Sequence, residues 1–455
     1  MYDLIIIGGG PAGYLAAERA GNAGLRSLLI EKREIGGVCL NEGCIPTKTL
    51  LHSAKIFENA RRGAAYGVYS NDITLNHAEV IARKNKVVKA LVSGVRSALK
   101  SSGAELINGT GVIKGRDADG RIRVEANGAE HIANRLLIAS GSSPVLPPIP
   151  GLRESLDAGL ALTSREALEL AEVPEKLVIV GGGVIGLELA CYYNAAGSSV
   201  TVIEMLPDIG GPLDDKISET LLKNLENKGI KFELNARASF IGKETIFERG
   251  GEKFTVPADK TLIAIGRRPN ISGLGLNGIG LSETEGRIKT DRFTRAGAPG
   301  VYAAGDVTGE IMLAHVAYRQ AEAAVNHMTG VKDEMRYGAV PSVIYTSPET
   351  GGVGETEKSA KEKGFDVAVS TLPMNYSGRY MAENERGDGF AKLIADKGTG
   401  RVLGFHMIGS YASEIILSAG IMTDLCVTVE RAKKMIFPHP TAGEIIRELL
   451  FAVKI

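Results

Sequence analysis

Residues 3–32 read DLIIIGGGPAGYLAAERAGNAGLRSLLIEK: an apolar run, the spacing Gly8-x-Gly10-x-x-Gly13, a helical pattern, a second apolar run and then Glu31. Residues 177–204, LVIVGGGVIGLELACYYNAAGSSVTVIE, repeat the layout with Gly181-x-Gly183-x-x-Gly186 and Glu204. Each glycine and the acid are displaced by the same 173 positions, Gly8 to Gly181 and Glu31 to Glu204. In such a unit the first glycine permits a tight strand-to-helix turn and the second lets a pyrophosphate approach the backbone. The third allows the helix to pack on the strand, and the helix N-terminus offers free N–H groups and partial positive charge. The carboxylate ending the second strand accepts hydrogen bonds from an adenosine ribose. One such spacing could be a glycine turn in an ordinary α/β core. Two in one register, each with strand, helix and acid, predict two dinucleotide sites. Glu204 suits a free 2′-hydroxyl and repels a 2′-phosphate, and the following MLPDIGG has no arginine, so the second site favours NAD over NADP.

The 455 residues allow two to four domains. Lys+Arg and Asp+Glu balance at 53 each, which gives no reason to expect a nucleic-acid or acidic-membrane partner. No apolar run reaches the roughly 18–20 residues a bilayer demands. The start MYDLIIIGGG enters a strand at once, so the expectation is a cytoplasmic protein without a leader. The 57 glycines with only 17 prolines point to tight turns and close backbone approaches, not to disorder.

Further along, residues 105–138 alternate as strands around the turn signal GRDADGR, and PVLPPIPG (144–151) reads as a connector. TLIAIGRRPN (261–270) and GVYAAGDV (300–307) are apolar strands running into loops. From about residue 336 the fingerprint is gone, and strands such as FAKLIAD and RVLGFHMIG precede helical patterns. The expected fold is therefore α/β: two Rossmann-like dinucleotide-binding domains and a C-terminal α+β domain.

Two of the four cysteines lie in GGVCLNEGCIPTK (36–48). On an ideal helix Cys39 and Cys44 would be turned about 140° apart, so a disulfide between them needs a distorted turn and would be readily reduced. Pro46 suits a helix first turn, which puts Cys44 near an N-terminus where a thiolate is stabilised. Lys48 adds a cation four residues on. A pair of small buried residues, or a zinc half-site with His52, would use neither the glycines nor the lysine. The spacing also lacks a second ligand pair, and no metal is expected.

GGVCLNEGCIPTK resembles the redox-disulfide motif of the flavin-dependent disulfide reductases, and among them the dihydrolipoamide dehydrogenase branch, where it usually reads GGTCLNxGCIPSK. The resemblance runs through both fingerprints, AAGDV and the C-terminal FPHPTAGE, essentially the whole chain. It implies FAD on Gly8, Gly10, Gly13 and Glu31, with Lys48 and Gly111 nearby, Asp306 on the ribityl chain and Ala314 by the ring. NAD would lie on Gly181, Gly183, Gly186 and Glu204, with Gly266 close to it. Cys44 would face the flavin as the charge-transfer thiolate and Cys39 would exchange with a dithiol. Glu188, costly in an apolar helix opening unless paired or set at the positive helix end, would pair with Lys48.

His439 stands between two prolines, with Glu444 five residues on. Taken alone, a histidine is usually structural. The prolines fix the backbone, however, and a carboxylate can orient the ring, as an acid–base dyad requires. His52, His77, His131, His315, His327 and His406 have no such setting. By resemblance the dyad serves the disulfide of a second subunit, which implies a homodimer. The implied domains are 1–145 with 264–335 for FAD, 146–263 for NAD and 336–455 for dimerisation. The implied reaction is oxidation of dihydrolipoamide on a lipoyl domain or carrier protein, with reduction of NAD.

Glutathione reduction is disfavoured by Glu204, and mercuric reduction by the absence of a cysteine pair in the closing FAVKI. A silent structural subunit would need neither the cysteines nor the base. Val38, Thr47, IASGS (138–142) and TAGE depart from the usual threonine, serine, IATGS and TLSE. They bear on redox tuning, not on the reaction class.

Overall fold

The computed structural model describes residues 1–384 and 389–455. The chain divides into two compact units. One comprises Met1–Thr49, Ile81–Leu146 and Gly266–Arg336; the other comprises Leu50–Val80, Pro147–Ile265 and Tyr337–Ile455.

The first unit grows from the opening fingerprint. β1 (Tyr2–Ile7) runs into α1 (Pro11–Asn22), and the chain returns to β2 (Ser27–Glu31), parallel to β1 with Ile7 opposite Ile30. Then come α2 (Gly37–Asn41), α3 (Cys44–Arg61), which belongs to the other unit from Leu50 on, and α4 (His77–Ser101), which belongs to this one from Ile81 on. β3 (Glu105–Asn108) adds to β2 in parallel. β4 (Val112–Arg116), β5 (Ile122–Ala126) and β6 (Ala129–Ile138) form an antiparallel meander. β6 is long enough to pair with β1 as well, giving the order β3-β2-β1-β6-β5-β4, with Val301–Ala303 beside the far end of β6. β1 is buried on both faces, as a parallel strand covered twice must be. Leu4 and Ile6 pack with alanines of α1 and of the helix Ala314–Met328, while Ile5 and Ile7 pack with Ile30, Val124 and Leu136. The short strand β7 (Ser142–Pro144) pairs antiparallel with Arg267–Pro269 and makes a two-stranded clasp.

The second unit repeats the fingerprint in Lys176–Val180, Val184–Ala196 and Ser199–Ile203. Its parallel sheet runs in the order Lys231–Glu233, Ser199–Ile203, Lys176–Val180, Lys260–Ile263, Ala161–Leu162, and residues 237–257 form a three-stranded antiparallel sheet. Beyond residue 341 a five-stranded antiparallel sheet forms in the order Ser342–Ile344, Thr350–Gly354, Val402–Ile408, Phe390–Asp396, Val367–Pro373. Helices Ala412–Asp424 and Glu444–Ala452 share its core through Ile416, Ile445 and Leu449 against Phe405 and Met407. The α/β class with two Rossmann-like layers and a C-terminal α+β portion is thus what the chain adopts. Among the described residues no helix is long and apolar enough to cross a membrane.

Candidate active site

The two cradles are built alike. Gly8 has φ +104°, and a Cβ there would meet the Ala139 carbonyl oxygen at 2.2 Å; for Gly181, at φ +112°, the obstacle is the Ala264 carbonyl oxygen at 2.4 Å. A Cβ at Gly13 would lie 1.7 Å from the Gly8 oxygen and one at Gly186 2.1 Å from the Gly181 oxygen, so both positions require helix and strand in contact. The middle glycines differ: a Cβ at Gly10 meets only the Gly37 Cα at 3.9 Å, and at Gly183 nothing within 4 Å. Each cradle is therefore filled where backbone must pack and open where a phosphate would approach. Glu31 takes the Gly9 amide at 2.6 Å and the Arg33 amide at 2.7 Å; Glu204 takes the Gly182 amide at 2.6 Å and the Leu206 amide at 2.8 Å. Each carboxylate oxygen keeps lone pairs for a hydroxyl donor. The donor set and the open flanks fit one dinucleotide per cradle.

In the first unit the thiol pair is delivered by two glycines. Gly36 and Gly37 both have positive φ, and the Gly36 amide donates to the Gly9 carbonyl at 2.8 Å, which lays α2 against the phosphate loop. Cys39 lies on α2, and Cys44 opens α3 after a break at Glu42, whose φ is −139°. That break supplies the distortion that one continuous helix would lack. The cysteines are unlinked thiols, with a hydrogen bond between them. That bond to Cys44, and then burial, push the Cys39 thiol far up, while Lys48 pulls the other way. Thr47 donates to the Gly43 carbonyl at 2.6 Å, closing the first turn of α3.

Asp306 starts the short turn Asp306–Thr308, after Gly305, whose amide donates to Gln320 at 2.7 Å. Its Oδ2 accepts from the Ser142 hydroxyl, and Arg267 Nε lies 4.0 Å away. Ala314 is the first residue of its helix. Gly111 is buried just before β4, where a Cβ would meet Ile7 at 3.2 Å. Gly266 has φ +114° and gives its carbonyl to the Val145 amide.

In the second unit Glu188 is buried and accepts the Tyr345 amide at 3.0 Å. His439, with its side chain 77% exposed, places Nδ1 2.6 Å from Glu444 Oε1, and Glu444 Oε2 accepts the Thr441 amide at 2.9 Å. Burial raises the Glu444 carboxyl, but the Thr441 amide and His439 outweigh it and leave the group below the usual carboxylate range.

The family model described as pyridine nucleotide-disulphide oxidoreductase matches residues 2–321, and the dimerisation domain of the same family matches 340–450. The chain belongs to this family. The oxidoreductase is 38% identical over 453 residues to the dihydrolipoyl dehydrogenase of Mycoplasma pneumoniae, covering 98% of this chain and 97% of that one. It is 38% identical over 470 residues to the enzyme of the same name from Bacillus subtilis, covering 99% and 98%. Among solved structures it is similar to LpdA from Mycobacterium tuberculosis, with TM-score 0.90, 28% identity and 99% of both chains covered. It is also similar to the HOCl-induced flavoprotein disulfide reductase RclA from Escherichia coli, with TM-score 0.86, 28% identity and 100% of both chains covered.

Three polar residues of the oxidoreductase were not singled out from the sequence: Ser142, Arg267 and Gln320. Each acts on the turn at Asp306 from 14 to 164 positions away, with no spacing rule to mark it. The GRRPN and IASGS segments were visible as motifs, and their pairing in the clasp is the signal that joins them.

Proposed function

We infer that this oxidoreductase transfers two electrons from dihydrolipoamide to NAD, using FAD and the Cys39–Cys44 pair. The observation that carries the reading is the thiol pair itself. It lies against an open dinucleotide cradle, at the N-terminus of α3 and within electrostatic reach of Lys48. Relatives at 36–38% identity over nearly the whole chain bear the name dihydrolipoyl dehydrogenase.

FAD is held on Gly8, Gly10, Gly13 and Glu31, with Lys48, Gly111, Asp306 and Ala314 about it. NAD is held on Gly181, Gly183, Gly186 and Glu204, with Gly266 near. Residues 1–145 with 264–335 form the FAD part, 146–263 the NAD part and 336–455 the dimer contact. When bound, the two cofactors supply the relay that carries an electron pair from sulfur to nicotinamide. The chain's own residues handle the protons and the sulfur exchange. Glu444 holds His439 Nδ1, so Nε2 takes a proton from one substrate thiol. That thiolate attacks the Cys39 sulfur of the oxidised pair, the Cys39–Cys44 bond breaks, and Cys44 leaves as thiolate. The second substrate sulfur then attacks the substrate sulfur of the mixed disulfide as its proton passes to the departing Cys39 sulfur, closing lipoamide and releasing Cys39 as a thiol. The substrate has then lost two electrons and two protons, and NADH and one proton account for them.

The exposure of His439 suits a dyad that serves the cysteines of a second copy, so the working form is a homodimer. The electron donor is a lipoyl domain or lipoyl carrier protein of an oxo-acid dehydrogenase or glycine cleavage complex, in the cytoplasm. The Cys44→Ser variant tests the chemistry: lipoamide turnover should vanish, and anaerobic dihydrolipoamide should no longer bleach the flavin. Near-normal turnover in that variant would sink the mechanism.

A further inference from the structure

The clasp between β7 and Arg267–Pro269 does more than join two segments. Arg267 Nε donates to the Ser142 hydroxyl at 2.7 Å, and its Nη2 donates to the Ser142 carbonyl at 2.7 Å. A guanidinium can only donate, and a serine hydroxyl has a single proton. Since Arg267 can only donate to the hydroxyl and a carboxylate can only accept from it, Ser142 directs that proton to Asp306 Oδ2. The three groups form a directed chain from cation through hydroxyl to anion, and each bond polarises the next. Ser142 is 4% exposed, and the Arg267 and Asp306 side chains are 14% and 25% exposed. Asp306 Oδ1 takes no part in the chain.

We propose that Arg267, acting through Ser142, is a positioning residue that fixes Asp306 with one oxygen committed and the other presented to the ribityl chain of the flavin. The inference rests on the reading that the first fingerprint holds FAD. The fork matters as well as the charge: two parallel donors on one residue fix the guanidinium in its plane, which a lysine ammonium cannot reproduce. Burial lowers the affinity of Arg267 for its proton and the Asp306 charge counters this, as expected of a cation kept in place by its partner. Cys44 and Glu42 also lie within electrostatic reach of this guanidinium, so the same cation borders the thiol pair.

The test is a double-mutant cycle on the holoenzyme, with FAD release on dilution followed by the rise in flavin fluorescence. Arg267→Met and Asp306→Asn should each weaken FAD retention about tenfold, as loss of a charge-assisted hydrogen bond does. If Arg267 acts through Asp306, the double variant should be no weaker than Asp306→Asn alone. Arg267→Lys should recover only part of the loss. Additive effects, or an Arg267→Met protein that holds FAD as tightly as the parent, would overturn the proposal. Should Arg267→Met fail to fold, Ser142→Ala removes the relay with a single hydroxyl, and parent-like FAD retention in it overturns the proposal equally. A parent protein that purifies without flavin would instead overturn the FAD reading, so the two failures are distinguishable.

Discussion

The thiol pair shows how far one residue's behaviour depends on its neighbour. The Cys39 thiol is pushed up because it hydrogen-bonds Cys44 and because it is buried, whereas Cys44 opens α3, the helix end that favours negative charge. The same logic ranks the acid–base pair. His439→Gln should lower the rate about 10²–10⁴-fold, the usual worth of a positioned base. Because His439 is 77% exposed, its melting temperature should match the parent. Glu444→Gln keeps the ring and loses the charge that orients it, so steady-state kinetics should place it between parent and His439→Gln. The contact of His439 with Glu444 was legible because the two are five residues apart across a proline-bounded turn. For Cys39 and Cys44 the need for a distorted turn and the place of Cys44 at a helix start were legible too, but the position of the break, at Glu42, has no sequence spacing to announce it.

At the scale of the element, the duplicated strand–turn–helix could be read in full, since its first and third glycines answer a steric demand that the structure repeats in both units, while the middle ones stay open to a ligand. Gly186→Ala puts a methyl carbon 2.1 Å from the Gly181 oxygen, so the helix Val184–Ala196 must lift from its strand. The expected cost is about 1–3 kcal/mol, as for other overpacked cores. The lift also displaces the N–H groups that face the second dinucleotide. In rapid-mixing experiments, reduction of the flavin by dihydrolipoamide should proceed as in the parent while reoxidation by NAD slows sharply. Gly13→Ala, with its Cβ 1.7 Å from the Gly8 oxygen, should instead cost the flavin itself. The clasp was beyond the sequence. Two three-residue strands about 125 positions apart have too few side chains to show a period, and their pairing rests on the fold bringing them together.

Across the second unit, a buried charge network ties the segment after Glu204 to the C-terminal sheet. Lys392, 7% exposed, lies 2.8 Å from Asp214 Oδ2 and 2.8 Å from Glu357 Oε2. Burial opposes the charge on Lys392, but its two carboxylate partners win and raise its proton affinity. Glu357 is held down at about 2 by hydrogen bonds from Lys361 and then Lys392. A carboxyl depressed on folding contributes stability above its unfolded value, roughly 4.3, and loses it as pH falls toward the folded value. A lysine raised on folding contributes below about 10.4 and loses it as pH rises past that point. The network therefore stabilises fully from about pH 5 to 10. Glu357→Gln should lower the urea midpoint at pH 7, and its deficit should shrink steadily between pH 4.5 and pH 2 as the parent's own Glu357 protonates. A deficit that is flat over that range would show that Glu357 is held by packing alone. Lys392→Met should be the costlier change, by about 3–5 kcal/mol, because it strips the buried Asp214, 4% exposed, of its cation. Pairing Lys392→Met with Asp214→Asn should return much of that loss at pH 7. If it returns none, the cost of Lys392→Met lies in packing and the ion pair is incidental.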